Sequence, residues 1–267
     1  MDAQNKEVDA LVHKITGLHA AIAKLPSLSP SPDVDALFTD LINLSKLEYE
    51  LLARYVPGGI APARVAFIGS GPLPFSSYVL AARHLPDTMF DNYDLCGAAN
   101  DRASKLFRAD KDVGARMSFH TADVADLAGE LAAYDVVFLA ALVGMAAEDK
   151  AKVIAHLGAH MADGAALVVR SAHGARGFLY PIVDPQDIGR GGFEVLAVCH
   201  PDDDVVNSVI IAQKSKDMHA NEHRNGRGGQ QNSNKWLPVV SPPCRFGEMV
   251  ADATQKRKEF ANAEVAF

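Results

Sequence analysis

The sequence predicts an α/β protein, a doubly wound, mostly parallel sheet of about seven strands preceded by a small helical region. Three observations carry this. From Arg64 to Arg170, short apolar runs of strand length alternate with segments of helical period, and such alternation builds a parallel sheet through right-handed crossovers. The first of these strands runs into a glycine turn, Gly69-Ser70-Gly71-Pro72, which is where sheets of this kind receive ligands. The last two apolar runs, Phe193 to Val198 and Val205 to Gln213, are joined only by a short link carrying Pro201-Asp202-Asp203-Asp204. That link is too short for a parallel crossover, so the two should pair antiparallel.

The elements follow in chain order. Val8, Leu11, Val12, Ile15, Leu18, Ile22 and Leu25 recur at helical spacing, giving an amphipathic helix over 5–25 that Pro26 ends. After a Ser/Pro linker, Asp33 or Asp35 caps a second helix that reaches Tyr55, with Leu37, Leu41, Leu44, Leu47 and Leu51 on one side. Strands are expected at 65–68, 88–94, 117–120, 135–139 and 165–170, with helices at 75–85, 98–108 and 150–161 between them. The organisation is thus 1–57 helical, 58–214 the sheet domain, and 215–267 a tail. Lys216 to Lys235 is rich in Asn, Gln, Gly and charge, and is expected to be disordered because it has almost nothing apolar to bury.

Composition excludes several function classes. The 267 residues are 48% hydrophobic and carry a net charge of -7, which disfavours a chain whose task is coating nucleic acid. Cys96, Cys199 and Cys244 are far apart and odd in number, so neither a disulfide framework nor a zinc knuckle organises the fold. Asp2, Lys6, Glu7 and Asp9 stand where an export signal needs apolar residues. The apolar run 136–147 is shorter than the roughly 20 residues a bilayer demands. A soluble cytoplasmic protein is expected, with no nucleic-acid or membrane partner.

The residues point to a nucleoside site. Strand 65–68 enters Gly69, Ser70 and Gly71, which let a ligand approach the backbone, but Pro74 stands where a dinucleotide fingerprint has its third glycine. Asp94 ends the next strand, 23 positions after Gly71, where a carboxylate can take both ribose hydroxyls, with Asp91 and Asp101 as alternatives. Asp123, after the third strand, is placed either to accept from an adenine amino group or to cap a helix over 124–131.

Several runs resemble the plant nicotianamine synthase family: Ile42-Asn43-Leu44-Ser45-Lys46-Leu47-Glu48-Tyr49-Glu50, Val65 to Pro74, Tyr93-Asp94-Leu95-Cys96-Gly97-Ala98-Ala99-Asn100, Arg170-Ser171-Ala172-His173-Gly174-Ala175-Arg176-Gly177, and His200 to Ile211. The likeness covers residues 1 to about 214. It implies a Rossmann-like, methyltransferase-like domain beside an N-terminal helical domain. The implied activity is the condensation of three S-adenosylmethionine molecules into nicotianamine with release of methylthioadenosine. S-adenosylmethionine is then the substrate, and no separate cofactor and no metal are expected; a homo-oligomer is compatible with the resemblance. Carried over, Gly69, Ser70, Gly71 and Pro72 line the methionine part, Asp94 holds the ribose, and Asp123 with Val124 the adenine.

One departure is large. The family carries a long helical stretch with acidic and tyrosyl groups between the segments resembling Phe38-Thr39-Asp40-Leu41 and Ile42-Asn43-Leu44; here Leu41 joins Ile42 directly. The attacking group in this chemistry is an α-amine, whose pKa of about 7.7–8 leaves much of it protonated at neutral pH, so a base must take its proton. Candidates that remain for the catalytic roles are Glu48, Tyr180 and His173, with Arg170 as a clamp for a substrate carboxylate. The alternatives are an S-adenosylmethionine-dependent methyltransferase, and a non-catalytic variant that binds the same ligand and pairs with full-length subunits. His156 and His160 sit four apart on a helix, but without the glutamate of a metalloprotease motif they read as a surface pair.

Overall fold

A computed structural model describes residues 32–58, 61–174, 177, 180–201, 205, 207–215 and 239–240. The expected helix over 5–25 and the segment 216–235 lie outside the described residues. The first described helix, α1 (Pro32–Tyr55), runs without interruption through Leu41 and Ile42. Its heptad-like leucines explain it: Leu44, Leu47, Leu51 and Leu52 are all buried, a Lys46–Glu50 pair supports the outer face, and Gly58 at φ 88° follows its end.

The chain then alternates: β1 (Arg64–Ile68), α2 (Phe75–Val79), β2 (Met89–Asp94), α3 (Gly97–Phe107), α4 (Lys111–Gly114), β3 (Met117–Thr121), β4 (Val136–Leu139), α5 (Ala147–His160), β5 (Ala166–Ser171), α6 (Pro185–Arg190), β6 (Phe193–Cys199), β7 (Ser208–Lys214) and β8 (Val239–Val240). The strand order is β3-β2-β1-β4-β5-β7-β6-β8. Strands β1 to β5 are parallel, while β7 inserts antiparallel between β5 and β6. The order reverses between β1 and β4, which makes the crevice above their carboxyl ends the switch point where such sheets bind ligands.

Alternation along the strands divides the core. Val65 and Phe67 face one side with Leu44, Leu47, Leu51, Leu52, Tyr78 and Phe107. Ala66 and Ile68 face the other with Leu131, Tyr134, Ile154, Leu157 and Ile188. Helix α1 therefore shares a core with the sheet it covers.

Two elements depart from the sequence expectation. The helix foreseen over 75–85 passes after Val79 into a π-turn, Leu80–His84, closed by the Leu85 N–H donating to Leu80 O. Arg116 reaches in from the start of β3, donating Nη2 to Ala81 O and Nη1 to Leu85 O and Thr88 O, so the widened turn leaves these carbonyls satisfied. Where a helix over 124–131 was one reading, there are two short 3₁₀ turns, Val124–Asp126 and Glu130–Ala133. Among the described residues no helix is long and apolar enough to cross a membrane.

Candidate functional site

The glycine turn after β1 is fixed from β2. The N–H groups of Gly69 and Ser70 both donate to Tyr93 O, at 2.8 and 3.0 Å. The Asp94 carboxylate accepts from Gly71 N–H through Oδ2 at 2.8 Å and from Cys96 N–H through Oδ1 at 2.9 Å. Gly69 (φ 81°) and Gly71 (φ 68°) are both left-handed, a conformation that glycine adopts without strain. Their surroundings differ: a Cβ on Gly69 would collide with Val143 Cγ2, whereas one on Gly71 would meet nothing. The open space is at Gly71, beside the exposed ring of Pro72. Ser70 is only 9% exposed, and its Oγ has no hydrogen-bond partner among the described residues.

The ends of β2 and β3 are tied by Asn100 of α3. Its amide donates to His120 O and Thr121 Oγ1 at 2.9 Å each, and to Asp94 O at 3.3 Å. Asp123 is exposed and caps the first 3₁₀ turn, accepting from Ala125 N–H, with Val124 buried behind it. Of the two alternatives for a ribose carboxylate, Asp101 is exposed on α3. Asp91 is buried and already engaged by Arg64 Nη2 (2.6 Å), His120 Nε2 (3.0 Å) and Tyr134 Oη (3.0 Å). Burial pushes the Asp91 carboxyl up, but the bonds from His120, Arg64 and Tyr134 outweigh it and hold the group below its ordinary value. Asp94, by contrast, is held only by the backbone N–H groups of Gly71 and Cys96, one on each oxygen, and pairs with no cationic side chain among the described residues.

Two of the expected catalytic residues meet one another. Glu48 of α1 is fully buried, and Arg170 near the end of β5 grips it with Nε (2.6 Å) and Nη2 (2.9 Å). The guanidinium also lies over the Phe67 ring, 5.0 Å from its centroid. Glu48 lies one turn from Leu44 and from Leu51 and Leu52, so helical spacing already sets it on the buried face of α1; what the helix pattern could not supply is its partner, Arg170. His173 and Tyr180 stand apart: no hydrogen bond among the described residues joins either to the Glu48–Arg170 pair. His173 is exposed and stacks on His200 at 4.1 Å, whose Nδ1 lies 3.0 Å from Ser208 Oγ. Burial, then the neighbouring His173, lowers the His200 pKa. Tyr180 is half-buried.

Apolar side chains are exposed at the same end as Asp123 and His173. Leu95, Leu142, Met145 and Ile182 are exposed in the loops after β2, β4 and β5. A cleft lined by Pro62, Tyr134, Asp135, Ala165 and Gln213 lies at the opposite end of the strands and contains none of these groups. His156 and His160 each bond a carbonyl, Leu127 O and His156 O. Among the described residues no three His, Cys, Asp or Glu side chains are grouped to hold a metal ion.

The profile described as nicotianamine synthase protein matches residues 3–44 and, in a second piece, 41–219. The chain belongs to the nicotianamine synthase family. It is 73% identical over 331 positions to probable nicotianamine synthase 6 of Hordeum vulgare, covering all of both chains, and 72% identical over 336 positions to nicotianamine synthase 8 of the same species, again covering all of both. Among solved structures it resembles a glutamate-to-glutamine variant of MtNAS in complex with S-adenosylmethionine, at a TM-score of 0.52 and 24% identity over 66% of this chain and 62% of that one. An alignment of 331 positions that covers all of a 267-residue chain leaves about 64 positions of the relative facing no residue here. The two pieces of the family match meet at residues 41–44, in agreement with a stretch missing at Leu41–Ile42.

Proposed function

We propose that this chain binds S-adenosylmethionine in the crevice above β1 and β4 and carries out the aminocarboxypropyl transfer of nicotianamine synthesis, at a rate well below that of a chain with the family's full N-terminal segment. The observation that carries the binding half is the turn itself: a left-handed Gly71 with open space above it, an unpartnered buried Ser70 Oγ, and Asp94 beside them. In this reading Gly69, Ser70, Gly71 and Pro72 line the methionine part, Asp94 takes the ribose hydroxyls, and Asp123 and Val124 meet the adenine.

The chemistry asks little of a nucleophilic side chain. The sulfonium already provides a thioether leaving group. The α-amine of a second substrate attacks the carbon γ to the first one's carboxyl; a C–N bond forms, the C–S bond breaks, methylthioadenosine departs, and the amine's proton goes to a base. Positioning supplies most of the rate. Arg170 is suited to orient a substrate carboxylate, because its Nη1 lies outside the pair with Glu48. Glu48, with both oxygens on Arg170, serves to aim that guanidinium rather than to accept the proton. His173 and Tyr180 remain as bases near the same end of the sheet.

The observation that carries the impaired half is α1. It continues unbroken through Leu41 and Ile42, where the two pieces of the family match meet, while a relative has about 64 positions with no counterpart here; in this reading the acidic and tyrosyl groups that the resemblance places in that stretch are the ones missing for aligning and deprotonating the second substrate. Incubation with S-adenosylmethionine alone tests the reaction class. Slow appearance of methylthioadenosine supports transfer, S-adenosylhomocysteine formed with an added acceptor would instead make the chain a methyltransferase, and binding without either product would make it a non-catalytic variant.

A further inference from the structure

Lys150 looks like one more charged residue in the first turns of α5, yet it is only 2% exposed. Its Nζ donates to Ala140 O at 3.0 Å and to Ala141 O at 2.9 Å, the two carbonyls that follow β4. The loop these carbonyls begin is pinned at three further points. Ala140 N–H donates to Ile68 O at the end of β1, Val143 N–H donates to Ala140 O, and Lys150 N–H donates to Ala146 O. Gly144 is left-handed (φ 65°) and leaves no room for a Cβ against the Lys150 backbone. The same loop sets Val143 against Gly69, so closely that Gly69 tolerates no side chain. A chain of contacts thus runs from the Lys150 ammonium through Ala140, Ala141 and Val143 to the glycine turn, across the point where the strand order reverses.

We propose that Lys150 is a positioning residue for the adenosyl ligand: its buried ammonium clamps the loop after β4 against the glycine turn and so fixes the width of the crevice between β1 and β4. The inference rests on the adenosyl reading of that crevice. A lysine fully withdrawn from water is costly to keep charged, and its burial here lowers its pKa to about 8. No charged neighbour offsets the burial: Glu148 and Asp149 on the same helix are exposed, and the loop 140–146 carries no titratable side chain. The ammonium therefore loses its charge as pH rises through about 8, and a ligand that needs the clamp then binds more weakly.

The test uses methylthioadenosine, which has no amine of its own to titrate in this range, in calorimetric titrations of the wild type, Lys150→Met and Asp94→Ala. Lys150→Met keeps the length of the side chain and removes the donors; it should retain a cooperative melt and lose roughly tenfold or more in affinity, the scale of hydrogen bonds from a charged group. Wild-type affinity should fall several-fold from about pH 7 to about pH 9, around the ordinary range of an amine shifted this far, and the Met variant should be flat. Equal affinity and an unchanged profile in Lys150→Met would overturn the proposal while leaving the adenosyl site intact. Absence of binding in the wild type, or no loss in Asp94→Ala, would instead overturn the adenosyl reading. If Lys150→Met does not fold, the wild-type profile decides in a Cys96→Ser background, which removes the thiol beside Asp94; a flat profile there sinks the clamp.

Discussion

Glu48 and Arg170 lie 122 residues apart in the chain and form a two-point ion pair with the carboxylate fully buried. The pair joins α1 to the end of β5, so the helix that crosses the Leu41–Ile42 junction is anchored at the functional end of the sheet. A partner removed from such a pair leaves an uncompensated buried charge, which costs about 3–5 kcal/mol. Glu48→Ala should lose that much in urea denaturation. A loss under about 1 kcal/mol, the range of exposed pairs, would show that water reaches the site and that α1 is not held as described.

The two glycines of the turn should respond differently. Gly71→Ala meets no atom and carries only the left-handed strain of an L-residue, about 1–2 kcal/mol. Gly69→Ala carries the same strain and drives its Cβ into Val143. It should destabilise the protein distinctly more in thermal melts, and a Val143→Ala change should recover part of the difference. Equal melting temperatures for the two alanine variants would contradict the packing of the β4 loop on the turn.

Asp91 predicts a pH dependence. Its carboxyl is held below its ordinary value by the bonds from His120, Arg64 and Tyr134, which overcome the opposing effect of burial. A depressed carboxyl stabilises the fold at pH values above its unfolded pKa, near 3.9, and loses that contribution as pH falls through the lower folded value. Asp91→Asn should therefore be less stable than the wild type at pH 7, and the gap should close as the medium is acidified below about pH 4. A gap that stays constant between these limits would mean that the charge of Asp91 contributes nothing.

Much of this arrangement is legible in the amino-acid sequence. The alternation that gives β1 to β5 and the short link between β6 and β7 are local periodicities, and local patterns survive translation into three dimensions. Asp94 is legible because its spacing from Gly71 is set by one strand and one crossover; the structure adds that its two oxygens already bind Gly71 and Cys96. The rest depends on distant partners. Glu48 sits on the apolar face of its helix with no partner in view until Arg170 arrives from β5, Lys150 reads as a surface lysine until the carbonyls of Ala140 and Ala141 close on it, and the π-turn at Leu80–His84 depends on Arg116 from another element. The insertion of β7 between β5 and β6 is a choice of neighbours that two hairpin strands do not declare in their own sequence.

The ribose assignment is tested by Asp94→Ala. Loss of hydrogen bonds from a charged acceptor should weaken S-adenosylmethionine by about 1.5–3 kcal/mol. Cys96, exposed next to Asp94, supplies an independent reading: the ligand should slow alkylation of that thiol in the wild type and protect it less in Asp94→Ala. Undiminished affinity in the folded variant would move the ribose elsewhere.

The central claim is that binding survives in this chain while turnover suffers, and one paired measurement meets it directly. The chain as it stands and a version with the family's segment restored between Leu41 and Ile42 would be compared in calorimetric S-adenosylmethionine binding and in nicotianamine formation under single-turnover conditions. The crevice proposed for the adenosyl group is built from residues present in both, so affinity for the first substrate should agree within about threefold, the ordinary context scatter of such interactions. Lost alignment and proton acceptance can forfeit several kcal/mol of barrier lowering, so the restored chain should form nicotianamine at least about a hundredfold faster. Equal rates would contradict the account and return the proton chemistry to groups such as His173 and Tyr180.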